Sequence, residues 1–187
     1  MTKRRFTLPL PAMADGSTEQ TARLKVEEAA VCFAEGRQFR ISYPFAITSA
    51  AVVLKVSSPI DFILRTQSLD VSAGGVEFNA FRDTQVTESS PFTDEVPVFA
   101  NNFQSTALDY TRQIDILNGG TITVSEGEVS VEIIRVITSG ATAQRTTVGG
   151  AVHGFRGLAA GDYYLVFSKI GGANAAGVYT LLFEERP

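Results

Sequence analysis

The sequence holds no tryptophan, one cysteine, one histidine and two methionines among 187 residues, and each shortage closes off some chemistry. Cys32 has no partner for an intrachain disulfide, which is compatible with a reducing compartment without proving one. Its setting, EAAVCFAEG, is apolar residues and glutamates rather than the electropositive surroundings of a reactive thiol, so it reads as a buried structural cysteine. A Ser-His-Asp or Cys-His relay would have to use His153. That residue sits in GGAVHGFRG with Arg156 nearby and no adjacent carboxylate, and no G-x-S-x-G elbow occurs anywhere. One histidine and one cysteine also fall short of the usual zinc ligand sets. The run GGAVHG lacks Gly-x-Gly spacing and a Lys-Ser/Thr ending, so it reads as an inter-strand loop rather than a phosphate cradle. Without tryptophan, a sugar-binding or sugar-cleaving surface loses its strongest aromatic platform. The five tyrosines and thirteen phenylalanines mostly alternate along strands and read as core.

No apolar run approaches the roughly 20 residues of a membrane helix. A net charge of −4 supplies no basic field for nucleic acid or anionic lipid. In FRISYPF, Arg40 lies opposite the aromatics instead of among them, unlike a single-strand-binding face. The expectations are therefore no catalytic residues, no cofactor, no metal, no nucleic acid and no membrane.

What is present is an ordinary globular composition, 44% hydrophobic and 19% charged. A chain of this length buries about 70% of its unfolded surface without needing bridges or a metal. Residues 1–16 carry two of the seven prolines and read as an extended basic arm. Ser17 and Gln20 have capping-box spacing, Val26, Ala29, Ala30 and Phe33 form one apolar stripe, and Gly36 supplies a stop; a helix is expected over 17–36. Residues 37–187 read as strands. FRISYPF alternates, and AVVLKVS, IDFILRT, VEFNAF and VPVFA follow, the last an edge strand because of Pro97. RQIDIL and TITVS flank Asn118-Gly119-Gly120, a hairpin signal. VSVEIIRVIT shifts its alternation at Ile133-Ile134, which predicts a bulge. DYYLVFSKI and GVYTLLFEE read as a closing hairpin. Some eight to ten short strands with no recurring helices predict a mainly β fold, a jelly-roll-like antiparallel β-sandwich with an N-terminal arm and one helix.

Residues 83–111 contain no lysine or arginine and carry Asp83, Glu88, Asp94, Glu95 and Asp109. Their charge of −5 against −4 for the whole chain leaves +1 for the rest. The segment reads as a solvated loop set, as an acidic docking surface for a basic partner, or as a calcium or glycosidase-type carboxylate site.

From Gln38 to Glu185 the order of segments resembles a family of small tailed-bacteriophage virion structural proteins. The resemblance rests on FRISYPFAITSAAVVLKVSSPIDFIL, on VSAGGVEFNAFRDTQVTESSPFTDEVPVFANNFQST and on LAAGDYYLVFSKIGGANAAGVYTLLFEE. Ala73-Gly74-Gly75, Ala100-Asn101-Asn102-Phe103 and Gly161-Asp162-Tyr163-Tyr164-Leu165 occupy its turn and strand positions, with Phe103-Gln104 where the family carries an arginine. The resemblance implies a jelly roll or related sandwich without enzymatic activity, assembled onto virions. Capsid decoration is the first expectation, with the major capsid protein or other virion proteins as partners and a homo-oligomer, a trimer by analogy. Lys3, Arg4, Arg5 and Phe6 of the arm are the candidate assembly contacts. The alternative is a tail or head fibre or adaptor module that binds a host receptor or another virion protein. A depolymerase using the carboxylates of 83–109 is a third reading.

The opening MTKRRFTLPLPAMAD also resembles a secretory signal. Only six residues, FTLPLP, separate Arg5 from Ala12, two of them prolines. A signal needs an apolar region of about 7–15 residues, so a retained arm is expected, on a protein made in the host cytoplasm and carried on the virion.

Overall fold

The computed structural model describes Phe33 and residues 35–101, 110–138, 144–149 and 156–186, all within a compact unit spanning Cys32–Pro187. The expected arm, the helix before Phe33, Cys32 and His153 lie outside the described residues. Gly36 takes φ +72° and returns its N–H to the Phe33 carbonyl at 3.1 Å.

The described residues are mainly β and antiparallel. β1 (Gln38–Ile47) buries Phe39, Ile41, Phe45 and Ile47 while Arg40 and Ser42 face out, so the alternation in FRISYPF sets the strand's inner face. β2 (Val52–Ser58), β3 (Asp61–Ala73) and β4 (Gly75–Arg82) follow, then a single 3-10 turn at Asp83–Gln85. Short strands come next: β5 (Val86–Ser90), β6 (Asp94–Glu95), β7 (Phe99–Ala100), β8 (Asp115–Asn118) and β9 (Thr121–Val124). The chain closes through β10 (Glu132–Ile137), β11 (Gln144–Gly149), β12 (Arg156–Leu158), β13 (Gly161–Lys169) and β14 (Ala175–Arg186). One sheet runs β11-β3-β14-β1-β7, with β12 also on β3. The other runs β10-β4-β13-β2-β8-β6, and β5 pairs with β9 as a separate ribbon.

The inner faces of the two sheets share one core. Phe45 and Tyr179 of the first sheet meet Phe78 and Phe167 of the second: Phe45 and Phe167 stack at 5.0 Å, and Phe78 and Tyr179 at 5.4 Å. Farther along, Phe62 meets Tyr163 edge-on at 5.6 Å. Such pairs are worth about 0.5–1.5 kcal/mol beyond the area they bury.

Several sequence expectations are corrected by this topology. Asn118-Gly119-Gly120 does turn the chain, and Gly119 has φ +85°, but β8 pairs with β2 and β6 while β9 pairs with β5, so the two strands form no hairpin. The turn chemistry is local, whereas the pairing partners come from distant parts of the chain: β2 for β8 and β5 for β9. The terminal pair is likewise no hairpin: β13 lies between β4 and β2, and β14 between β3 and β1, so residues 170–174 carry the chain from one sheet to the other. Both strands have apolar faces that need opposite walls of one core. The expected bulge at Ile133-Ile134 is absent, because β10 pairs with β4 in unbroken register from Glu132 to Ile137. The pattern shifts only because Ile133 and Ile137 are apolar residues on the outward face. Irregularities fall instead in β3, where the register against β14 skips Arg65 and Ser72, and in β5, where the register against β9 skips Ser89. Pro97 does precede an edge strand, since β7 terminates the first sheet.

The corner between β3 and β4 requires Gly74. Its φ is +69°, and a Cβ there would sit 2.5 Å from the Asn174 carbonyl oxygen. Gly74→Ala is expected to cost about 2 kcal/mol, read as a lowered urea midpoint at unchanged m-value; an unshifted midpoint would show that the corner relaxes freely.

Candidate functional site

The acidic segment does not gather its carboxylates. Asp83 opens the 3-10 turn, exposed, its Oδ1 accepting the Thr84 N–H at 2.8 Å. Asp94 is exposed on β6, beside the Thr93 hydroxyl at 3.2 Å. Glu95 accepts from Arg112 at 2.7 Å. Asp109 lies outside the described residues. Arg112 also reaches Asp115 at 3.5 Å, and Glu88 enters a larger cluster: it accepts from Lys55 and from the Tyr164 hydroxyl, both at 2.7 Å. Lys55 also bonds Asp162 at 2.8 Å, and the Ser57 hydroxyl donates to the same carboxylate at 2.7 Å. Phe92 packs on Tyr164 at 5.8 Å. These contacts fasten the β5–β9 ribbon over the outer face of the second sheet. Two acidic charges are thus answered by cations from outside the segment, a pairing that a count of charge along the chain does not show.

Electrostatics in this cluster favour its ion pairs. Partial burial opposes the charge on Lys55, but hydrogen bonds to Asp162 and Glu88 outweigh it and hold the ammonium above its ordinary value. Hydrogen bonds from Lys55 and Tyr164 hold the Glu88 carboxyl below the usual carboxylate range. Burial, then the bond to Glu88, pushes the Tyr164 phenol up to about 12. Among the described residues, no three His, Cys, Asp or Glu side chains converge as a metal site would require.

A second polar cluster escaped sequence analysis because its residues end a strand that reads simply as LLFEE. Glu184 and Glu185 are fully buried. Glu184 pairs with Arg65 (Nε donating at 2.9 Å), lies 2.9 Å from Arg186 Nε, and accepts from Gln38 Nε2 at 3.3 Å. Arg65 is the residue that the β3 irregularity leaves out of register, which turns its side chain to this face. Glu185 accepts the backbone N–H groups of Gln113 (3.0 Å) and Ile114 (2.8 Å), tying the segment before β8 to the first sheet. Burial and the bond to Glu185 push the Tyr110 phenol up to about 12. This network holds the end of β14 to β3, β1 and the segment before β8.

Two features remain that are not already satisfied internally. The first is an opening of about 550 Å³ between the sheets. Phe62, Leu64 and Leu181 of the first sheet and Val56, Ala80 and Leu165 of the second form its walls. Gln67 and Tyr179 also line it, the Tyr179 hydroxyl donating to Gln67 Oε1 at 3.0 Å. The Gln67 amide nitrogen is buried without a partner among the described residues. At the exposed end, Arg156 bonds Glu132 at 3.0 Å and Arg82 lies over the Tyr163 ring at 5.6 Å. The second feature is the outward row of β10 and the residues before it. Val129, Val131, Ile133 and Ile137 are 70, 58, 54 and 63% exposed, and β10 is a terminal strand of its sheet. Arg135, within that row, is paired with Glu77. Hydrogen bonds from Asn79 and Arg135 hold Glu77 below the usual carboxylate range.

No family model and no curated protein matches the sequence.

The Glu88 cluster sets a pH dependence. A carboxylate whose folded pKa is lowered contributes stability that is complete above its ordinary value, about 4.3, and is lost as pH falls through the lower folded value. The raised Lys55 contributes stability present below its ordinary value, about 10.4, and lost only at higher pH. Glu88→Gln should therefore destabilise the protein at pH 7 and have a smaller effect near pH 3, measured by urea unfolding at both. An equal loss at both pH values would show that the charge of Glu88 does not hold the ribbon.

Proposed function

We propose that this protein is a non-enzymatic structural subunit of a tailed-bacteriophage virion, in its most specific form a capsid-decorating protein. We infer a jelly roll from the strand order. The inner strands β11-β3-β14-β1 and β10-β4-β13-β2 take the chain across the core at each of the steps β1 to β4, from β10 to β11 and again around β13, as two interleaved Greek keys do. The clusters described above are occupied by internal ion pairs, which supports a scaffold whose polar groups serve cohesion.

The observation that carries the assembly reading is the apolar row on β10. A terminal strand presents unpaired backbone groups, and proteins that stay monomeric blunt such edges with charge or proline. Here the only charged side chain of the outward row of β10 itself, Arg135, is neutralised by Glu77, and four β-branched side chains face outward beside it. Covering each of these half-exposed groups contributes about 1 kcal/mol. The occupant is a second copy of this chain, because pairing an edge strand with its own copy satisfies both backbones with the same pattern of residues. Residues 1–16, with Lys3, Arg4, Arg5 and Phe6, would then anchor the oligomer to the major capsid protein. Asp83, Asp94 and Glu95 would lie on the exposed side as an acidic rim.

A tail or head fibre or adaptor would expose the same row to another virion protein or a host receptor, and the assays separate the two. Light scattering on the full chain should give the mass of an oligomer, three chains by analogy with decoration proteins. The pair Ile133→Lys and Ile137→Lys should reduce it to that of one chain without changing the far-UV spectrum; a wild-type monomer would overturn the self-association. Deletion of residues 1–16 should abolish high-copy binding to pre-formed capsids while the sandwich stays folded. Unchanged capsid binding would remove the arm from the anchoring role, and saturable binding to host surface in place of capsids would favour the fibre or adaptor.

A further inference from the structure

We propose that the opening between the sheets is a binding site for a small aryl or acyl carboxylate that carries a carbonyl in its buried part. Its volume, about 550 Å³, falls in the range of about 300–1,000 Å³ typical of small-molecule sites. Its walls are aliphatic and aromatic, which selects an apolar body.

Two polar features narrow the ligand further. Gln67 is 3% exposed and faces the core, where the register of β3 would otherwise place a hydrophobic residue beside Leu69 and Val71. Its oxygen is committed to the Tyr179 hydroxyl, and its amide nitrogen has no partner among the described residues. A buried donor without a partner is costly, and a core position that needs only packing is served better by leucine. The free group is a donor, so the ligand presents an acceptor oxygen there. At the exposed end, Arg82 and Arg156 outnumber Glu132, leaving one net positive charge among the described residues beside the opening. That charge, on forked donors suited to carboxylate, favours a monoanion over a cation or a neutral hydrocarbon. The Tyr163 ring, held by its hydroxyl on the Ala159 carbonyl at 2.8 Å and capped by Arg82, offers a flat wall near the same end. The opening shares Val131 with the outward row and borders Glu132 of β10, but its ligand does not depend on the assembly role.

The test uses the full chain and para-benzoylbenzoate, an apolar monoanion with an internal ketone. Isothermal titration against para-benzylbenzoate, in which a methylene replaces the ketone, isolates the acceptor, and para-benzoylbenzylamine isolates the charge. Saturable one-to-one binding of the ketone acid is expected, about tenfold tighter than the methylene acid, equivalent to about 1.4 kcal/mol, with the amine weaker still. Gln67→Leu should remove the difference between the two acids, and Arg156→Ala should weaken both. Irradiation of the bound benzophenone should label residues lining the opening. Equal affinity of the two acids for the wild-type protein, no saturable binding, or labelling elsewhere would overturn the proposal. Should Gln67→Leu misfold, Ala80→Leu narrows the opening from the other sheet and must lower the affinity; unchanged affinity in that variant would also overturn it.

Discussion

Four rings meet between the sheets: Phe45 and Tyr179 from one wall, Phe78 and Phe167 from the other, with centroids 5.0–5.4 Å apart along their contacts. The spacing of the two sheets is set there, because stacked and tilted rings tolerate little displacement before they lose contact. Tyr179 carries the constraint into the polar interior. Its hydroxyl is buried, so it must find a partner, and Gln67 supplies one. The remaining polarity of Gln67 then defines the character of the opening beside the rings. Burial pushes the Tyr179 phenol well above its ordinary value, so it stays a neutral donor throughout the physiological range.

Charge is used outside this core, and in two ways. On the outer face of the second sheet, Lys55 joins Glu88 and Asp162 and holds a ribbon that has few apolar contacts of its own. At the end of the first sheet, Arg65 and Arg186 answer a fully buried Glu184, while Glu185 satisfies backbone groups of the segment before β8. Buried pairs of this kind contribute little net stability relative to apolar packing, but removing one partner leaves a charge uncompensated. They therefore fix which segments lie together more than they strengthen the fold. The β10 row is the converse: apolar groups on the outside, where burial must come from another surface.

The inner faces were legible in the sequence wherever alternation was clean. Phe39, Ile41 and Phe45 face the core as FRISYPF predicts, with Tyr43 partly buried on the same face. Pro97 marked an edge because a missing N–H excludes a central strand. Local signals mislead where two of them are combined into a pairing. Asn118-Gly119-Gly120 turns the chain, and the loop at 170–174 lets it turn, yet the flanking strands belong to different sheets or layers. The misread bulge at Ile133 has the same origin, since apolar residues on both faces of β10 imitate a change of register. The candidate acidic surface was visible as composition, but its partners Lys55 and Arg112 lie outside the segment and are brought to it only by folding.

By itself, the sequence determined the class of fold, the inward side of most strands and the poverty of nucleophiles and metal ligands. Those properties follow from side-chain period and residue supply, which need no knowledge of distant partners. Tertiary structure alone decided which strands are neighbours, which carboxylates are neutralised, and that Gln67 faces an apolar opening with an amide nitrogen unpaired among the described residues. These depend on contacts between residues 30–120 positions apart, such as Lys55 with Glu88 or Arg65 with Glu184. No local pattern encodes such contacts, because a strand's preference for burial does not specify the wall against which it is buried.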